Sequence, residues 1–427
     1  MNNRKVKINQ IAYLNLKTYS KKDLPEEVEY LDTGNLTRNV ISELQKYSIV
    51  DANLPSRAQR KAKKNTILYS TVRPNLEHYG FLENPLYNLI VSTGFTTIDT
   101  FDDTIDPKYL YYAITQKHLT NYLHTIATNN VSSYPSINPD DLGNLVLSVP
   151  ENLLEQQRIA SVLSSLDAKI ELNNKINREL EAVAKTLYDY WFVQFNFPDK
   201  NGKPYKTSGG KMVWNEQLKR EIPEGWEAGI LSDIANITMG QSPSGESYNE
   251  SKEGMFFFQG CTDFGERFPS IRQYTTAPTR FAKPSDILLS VRAPVGTLNI
   301  ANVDCCIGRG LAALNSKHNC ISYLYEVMKS FKQIFDRRNV DGTTFGSITK
   351  DDLFSLKIIK PEKNIVEKYE KIMNSFFQKL NDVEKENLQL SSLRDWLLPM
   401  LMNGQVTVHV AEERISMVAE QEVGYGE

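Results

Sequence analysis

Ser136-Ile137-Asn138-Pro139-Asp140-Asp141-Leu142 and Ser347-Ile348-Thr349-Lys350-Asp351-Asp352-Leu353 share a Ser-Ile-x-x-Asp-Asp-Leu core without a gap, about 210 residues apart. The flanks Ser132-Ser133-Tyr134 and Thr343-Thr344-Phe345 extend the match upstream. Downstream, both copies run through an apolar strand, Leu145–Val149 or Leu356–Ile359, into Pro150-Glu151 or Pro361-Glu362. Ile67-Leu68-Tyr69-Ser70 with Arg73-Pro74 answers Ile287-Leu288-Leu289-Ser290 with Arg292 and Pro294. Arg60, Ala62 and Lys63 answer Arg280, Ala282 and Lys283, and Ile11-Ala12 answers Ile234-Ala235. This period is far too long for a solenoid and reads as a tandem duplication. Each copy is a globular α+β domain followed by a helix. Short Val, Ile, Phe and Tyr runs between Gly, Pro, Asn and Ser turns mark its strands. Met255–Phe258 and Ile287–Leu289 read as buried strands, and 106–128 and 322–338 as helices on the sheets.

The texture changes after Pro150, with no Pro or Gly between Glu151 and Trp191. Seam positions fall at Ile159, Leu163, Leu166, Ile170, Asn173, Asn177, Leu180, Ala184, Leu187 and Trp191. Their alternating steps of four and three are the coiled-coil spacing. The second copy places Ile365, Tyr369, Ile372, Phe376, Leu380, Val383, Asn387, Leu390 and Leu397 on a less regular seam, and Gly404 stops the helix. Seam asparagines cost stability and fix register. Some 35 residues make a rod of roughly 50 Å. The architecture expected is two tandem α/β domains separated by two long antiparallel coiled-coil helices. The boundaries are 1–150 (first domain), 151–195 (central spacer helix), 196–221 (exposed connector), 222–361 (second domain), 362–404 (C-terminal spacer helix) and 405–427 (a frayed acidic tail).

Composition bounds the function classes. The chain has 427 residues, 24% of them charged, and no apolar run approaches the roughly 20 residues that span a bilayer. The basic start lacks the apolar core of a signal peptide, so a cytoplasmic protein is expected. The four cysteines, Cys261, Cys305, Cys306 and Cys320, form no C-x-x-C pair and read as buried thiols, with no metal site. A net charge of −3 taken alone speaks against nucleic-acid binding. Its distribution differs from its sum, because the tail sets five Glu against Arg414.

The chain resembles the specificity (S) subunits, HsdS, of bacterial type I restriction–modification systems over nearly its whole length. The resemblance is carried by Glu155-Gln156-Gln157-Arg158-Ile159-Ala160 and Lys169-Ile170-Glu171-Leu172-Asn173-Asn174-Lys175-Ile176-Asn177. Ile222-Pro223-Glu224-Gly225-Trp226, Gly240-Gln241-Ser242-Pro243-Ser244 and Leu397-Leu398-Pro399-Met400-Leu401-Met402-Asn403-Gly404 add to it. It implies a non-catalytic, sequence-specific DNA-binding subunit. Each globular half would be a target recognition domain reading one half of an asymmetric, bipartite double-stranded site. Two methyltransferase (M) subunits would dock around the helices, and restriction (R) subunits would join through them. S-adenosylmethionine, ATP and Mg would belong to those partners, with no cofactor in this chain and no membrane association. The first domain lacks the Pro-Glu-Gly-Trp lead-in and begins abruptly near Lys5, so its starting strand is expected to be trimmed or packed differently.

Charge patterning locates the expected DNA contacts. Residues 52–76 hold no acid but include Arg57, Arg60, Lys61, Lys63, Lys64 and Arg73. In the second copy Arg267, Arg272, Arg280, Lys283 and Arg292 surround one acid, Asp286. Arg suits bidentate guanine contact and Lys acts as a point charge on phosphate. Arg57, Arg60, Arg73, Arg272, Arg280 and Arg292 are therefore expected near bases. Lys61, Lys63, Lys64 and Lys283 are expected on phosphates. The turn at Gln241, Ser242 and Ser244 offers a backbone clamp, and Gly342-Thr343-Thr344 a weaker one.

Catalytic motifs are sparse. Asn84-Pro85-Leu86-Tyr87 departs from the Asn-Pro-Pro-Tyr of amino-methyltransferases and lacks an upstream Gly-rich cofactor loop, so it reads as a turn. Gly308-Arg309-Gly310-Leu311-Ala312-Ala313 fits a loose dinucleotide fingerprint. Its repeat partner Ser92-Thr93-Gly94 keeps only the second Gly, which suits a shared turn. No G-x-x-x-x-G-K-[ST] loop occurs. A self-contained DNA modification enzyme and a coiled-coil protein–protein adaptor are the alternative readings. The absence of catalytic motifs favours a subunit that aims other enzymes.

Overall fold

The structure is a computed structural model that describes residues 2–19, 25–48, 54–129, 135–340 and 347–423. Of the sequence features above, Ser132–Tyr134, the Gly342-Thr343-Thr344 turn and the 345–346 flank lie outside the described residues. Two compact units form, one of residues 1–170 with 389–427 and the other of residues 171–388.

In the first unit, Ala12–Leu14, Phe95–Thr100, Thr66–Ser70 and Tyr79–Leu82 form an antiparallel sheet in that order. A second sheet orders Gln45–Ser48, Glu27–Leu31, Leu89–Ser92 and Ala58–Lys61, with its two middle strands parallel. In the second unit Ala235–Met239, Leu311–Ser316, Ile287–Ser290 and Leu298–Ile300 repeat the antiparallel sheet. Tyr248–Asn249, Tyr274–Thr275, Met255–Phe258, Cys305–Ile307 and Phe281–Ala282 form its mixed sheet, again with one parallel pair, Met255–Phe258 beside Cys305–Ile307. The duplication is therefore one of topology as well as of sequence. Its register is visible at single residues. Ile137 N donates to Thr71 O and Ile348 N to Val291 O, each at 2.9 Å. Val72 bridges Ser136 as Arg292 bridges Ser347, so Val72, not Arg73, is the counterpart of Arg292.

Strand Asn3–Lys7 pairs antiparallel with Val146–Pro150, as Glu227–Ile230 does with Lys357–Lys360. The first domain thus has its starting strand in the same place as the second, contrary to the trimmed start expected. Each expected surface helix is two helices. Pro107–Ile114 and Lys117–Asn129 are separated where Thr115 Oγ and Gln116 Nε2 bond back to the Tyr111 and Ala113 carbonyls at 3.0 Å. Ile321–Ser330 and Lys332–Val340 part at the buried Phe331.

The central helix runs over Leu153–Tyr188 and the second long helix over Lys363–Met402. In the first unit Ile159, Leu163 and Leu166 are buried in one cluster with Leu390, Leu397 and Leu401, while Ile170 is half-buried beside them. Each such side chain stabilises by roughly 1.5–3 kcal/mol when fully buried. In the second unit Asn173 meets Asn387, and Tyr369 Oη donates to the Ala184 carbonyl at 3.4 Å. The pairing number falls on one helix as it rises on the other, so this stretch is antiparallel. Asn177, Leu180 and Leu187 are half-buried on the same face. Leu380 and Val383 are buried, as expected.

The seam differs at Ile372 and Phe376. Ile372 is 44% exposed and Phe376 half-buried, whereas Met373 and Phe377 are buried. The face here steps Ile365, Tyr369, Met373, Phe377, each four residues on, before resuming at Leu380. Four-residue steps turn the buried stripe around the helix, away from a coiled-coil seam. The cause is tertiary. Phe377 lies edge-on to Tyr325, and Tyr369 contacts Tyr323 as well as Trp191 and Phe192 at the end of the central helix, so the domain shares in setting the face.

Two segments are more ordered than their composition suggests. The connector carries a hairpin, Met212–Asn215 with Arg220–Pro223, and Phe197 stacks between Tyr205 and Trp226 at 4.7 and 4.9 Å. Val408–Val423 forms a helix and not a frayed tail. Val408, Ala411 and Ile415 make an i, i+3, i+7 stripe that joins the first unit's core, and Arg414 lies over the Trp396 ring at 4.3 Å. No helix among the described residues is long and apolar enough to cross a membrane.

Candidate nucleic-acid interface

In the second unit, one end of the sheets gathers Gln241, Ser242, Arg280 and Arg292. Gln241 N donates to Ile307 O at 3.1 Å, and Thr279 Oγ1 donates to Gln241 O at 2.6 Å. Ile307 N donates to Arg280 O at 2.9 Å, which sets Arg280 beside the same strand end. Val291 N donates to Gly310 O at 2.9 Å, which brings Arg292 to the turn Gly308–Gly310. Arg280, Arg292, Gln241 and Ser244 are exposed, and Ser242 is half-buried. The Ser242 hydroxyl is held by the Gln259 carboxamide at about 3 Å and accepts from Arg309 N at 3.3 Å. Arg309 stands between the two glycines of the turn shared by both domains and is exposed.

The other expected cations of this unit part company with that end. Lys283 lies in the turn before strand Ile287–Ser290, where its N–H donates to the Asp286 carboxylate at 2.9 Å, and Arg292 follows the strand. Arg272 is engaged by the buried Asp263 carboxylate, with Nε to Oδ1 at 2.5 Å. Its charge is therefore partly satisfied within the fold. Arg267 is not a surface charge at all. It is 3% exposed, lies between the Tyr325 and Phe377 rings at 5.4 and 4.6 Å, and donates to Asn381 Oδ1 at 2.7 Å. Burial holds its guanidinium below the ordinary arginine value.

In the first unit, Arg57 and Arg73 share a cleft of about 410 Å³ with Ser70, His78 and Ser136. Arg73 sits at φ +47° and Glu77 at +57°, both left-handed, bracketing the short turn Pro74–Leu76. Such backbone in non-glycine residues costs of order 1–3 kcal/mol each and collects at functional turns. Arg60 and Lys61 lie on strand Ala58–Lys61. Arg60 is half-buried and burial lowers its pKa, while Lys61 Nζ stands 4.9 Å over the Tyr19 ring. Lys63 and Lys64 occupy the turn before strand Thr66–Ser70, at the opposite end from Arg73, and Lys63 reaches Asp99 at 4.0 Å. A five-residue strand is about 16 Å long, so one face cannot take both ends of it equally. The run of charge that looks continuous in sequence is split in space.

The motifs set aside as non-catalytic have structural explanations. Asn84–Tyr87 runs into a turn over Leu86–Leu89 that is closed by Leu89 N to Leu86 O at 3.1 Å, with Tyr87 84% exposed. The glycines of Gly308–Gly310 are demanded by space: a Cβ on Gly308 would lie 2.9 Å from Gln259 Cα, and one on Gly310 2.7 Å from Gln259 O. Cys305, Cys306 and Cys320 are buried and Cys261 half-buried, and burial pushes the Cys305 thiol up to about 12.

Residues 2–182 and 223–390 match the type I restriction modification DNA specificity domain. The type I restriction enzyme HindI specificity subunit of Haemophilus influenzae is similar at 26% identity, over 89% of this chain and 94% of its own length. A putative type I restriction enzyme MjaX specificity subunit of Methanocaldococcus jannaschii is 33% identical over 71% of this chain and 69% of its own. Among solved structures, the type I restriction–modification system S subunit from M. genitalium shares the fold at a TM-score of 0.56 and 19% identity, covering 94% of this chain and 96% of that one. With two copies of the same sheet topology on matched stretches of one family domain, the chain belongs to the type I restriction–modification DNA specificity family.

Proposed function

We propose that this chain is the non-catalytic DNA-reading subunit of a type I restriction–modification enzyme. Each unit contacts one half of an asymmetric bipartite site in double-stranded DNA. The observation that carries this reading is the duplication: two units repeat one topology but present different cations at the same sheet end. Arg57 and Arg73 stand there in one, and Arg280 and Arg292 in the other. Identical units would read a symmetric site, whereas divergent ones read two different half-sites. Phosphate contacts supply affinity and a few side chains at base edges supply sequence.

In this reading Arg57, Arg60, Arg73, Arg280 and Arg292 are the base candidates. Lys61, on the strand of Arg60, serves phosphates; Lys63, Lys64 and Lys283, at the far ends of their strands, lie away from that face, and Arg272 acts mainly by ordering its own loop. The Gln241–Ser242–Ser244 turn meets the DNA backbone. Adenine methylation and ATP-dependent cleavage reside in partner subunits, two methyltransferase subunits and the restriction subunits that join through them. S-adenosylmethionine, ATP and Mg are their cofactors. The test is binding by the purified chain and by its complex with the methyltransferase subunits. DNA affinity that falls steeply with salt, with no S-adenosylmethionine bound by the chain alone, is expected. S-adenosylmethionine binding by the isolated chain would instead favour a self-contained modification enzyme.

A further inference from the structure

We infer that Arg309 is a DNA phosphate anchor of the second unit, an inference that rests on the DNA-reading function proposed above. Its turn is fixed on every side. Gly308 N donates to Phe258 O at 2.8 Å, Gly310 N to Gln259 O at 3.2 Å, and Leu311 N to Gly308 O at 3.0 Å. Arg309 N itself donates to Ser242 Oγ. Gly240 closes the packing, since a Cβ there would lie 2.1 Å from Gly308 O. Arg309 is the one residue of this turn that bears a side chain, and it is exposed.

Among the described residues no carboxylate pairs with its guanidinium, in contrast to Arg272 on Asp263 and to Arg38 and Arg394 on Asp395. A cation on a backbone already immobilised has only its side-chain freedom left to lose on binding. Arg280 and Arg292 flank the same turn, so the local potential is positive. The polar side chains at its base, Ser242 and Gln259, are spent on each other. The turn therefore presents charge more than a hydrogen-bond pattern, which suits a phosphodiester better than a base edge. The first unit supplies a cation at the equivalent turn by a different route. Thr93 occupies the position of Arg309, and Thr93 N donates to the carbonyl of Arg57 at 2.8 Å.

The experiment compares wild type, Arg309→Ala and Arg309→Lys full-length chains, each checked for native circular dichroism. They are titrated against a mixed-sequence duplex over a series of KCl concentrations. The alanine variant is expected to bind several-fold more weakly, with the log–log salt slope reduced by about 1. The lysine variant is expected to keep most of the affinity and the slope. The set of genomic sites methylated in cells carrying either variant is expected to keep the wild-type motif. An unchanged slope and affinity for the alanine variant overturns the anchor, and a relaxed or altered motif overturns it in favour of base reading. A wild-type chain whose binding does not depend on salt would instead defeat the DNA-reading function itself.

Discussion

Arg267 and Arg280 lie in one basic run of sequence and have opposite fates. Arg280 is exposed at the sheet end, while Arg267 is sealed between two rings. Sequence composition counts both as surface charge, because burial of an arginine depends on aromatic partners 58 and 110 residues away in the chain, Tyr325 and Phe377. The recurrence of cations in the two copies is legible in the sequence, but the end of the strand on which each cation falls is not. Substituting Arg57 and Arg73 by alanine is expected to weaken one half-site, and substituting Arg280 and Arg292 the other. Each lost base contact costs about 1–3 kcal/mol. Competition with duplexes altered in one half at a time checks this, and damage to the same half by both pairs would contradict it. Arg267→Ala is expected to lower stability by about 2 kcal/mol, the scale of a desolvated cation–π contact, as measured by urea unfolding.

At the scale of the helices, the central seam was readable because its alternating steps of four and three face a helix partner for much of their length. The second helix departs from the expected seam at Ile372 and Phe376 because domain aromatics, Tyr323 and Tyr325, share its buried face there with the partner helix. The polar seam is a network: Asn173 Nδ2 donates to Asn387 Oδ1 at 3.0 Å and to Glu386 at 2.9 Å, and Asn387 Nδ2 donates to Asn174 at 2.8 Å. Asn387→Leu leaves a buried donor on Asn173 without its acceptor, an expected loss of about 1–3 kcal/mol. Asn173→Leu added to it is expected to recover most of that loss in a double-mutant cycle. Full additivity of the two losses would contradict the pairing.

Glu384, buried one turn before Asn387, has its carboxyl pushed up by burial. Its folded-state pKa lies above the unfolded one, so the native state holds the proton more tightly. Stability is then fullest below the ordinary glutamate value and declines as pH rises through the raised value. Glu384→Gln is expected to flatten that decline in thermal melts taken across pH, and an unaltered slope would count against it.

For the whole molecule, the duplication was the most legible feature, because a shared motif needs no tertiary information. The structure extends it from Ser-Ile-x-x-Asp-Asp-Leu to matching sheet orders, parallel pairs and edge strands. The helical tail escaped notice because its stripe of Val408, Ala411 and Ile415 is short and set among glutamates. The net charge of −3 no longer argues against DNA, since Arg57 and Arg73 in one unit and Arg280, Arg292 and Arg309 in the other stand at the same sheet end, while five of the glutamates belong to the tail. The central claim is that two different units read two different half-sites. Footprinting of the chain in complex with methyltransferase subunits tests it most directly. Two short protected blocks of unlike sequence, separated by a spacer of fixed length, are predicted. A single continuous palindromic block would contradict it.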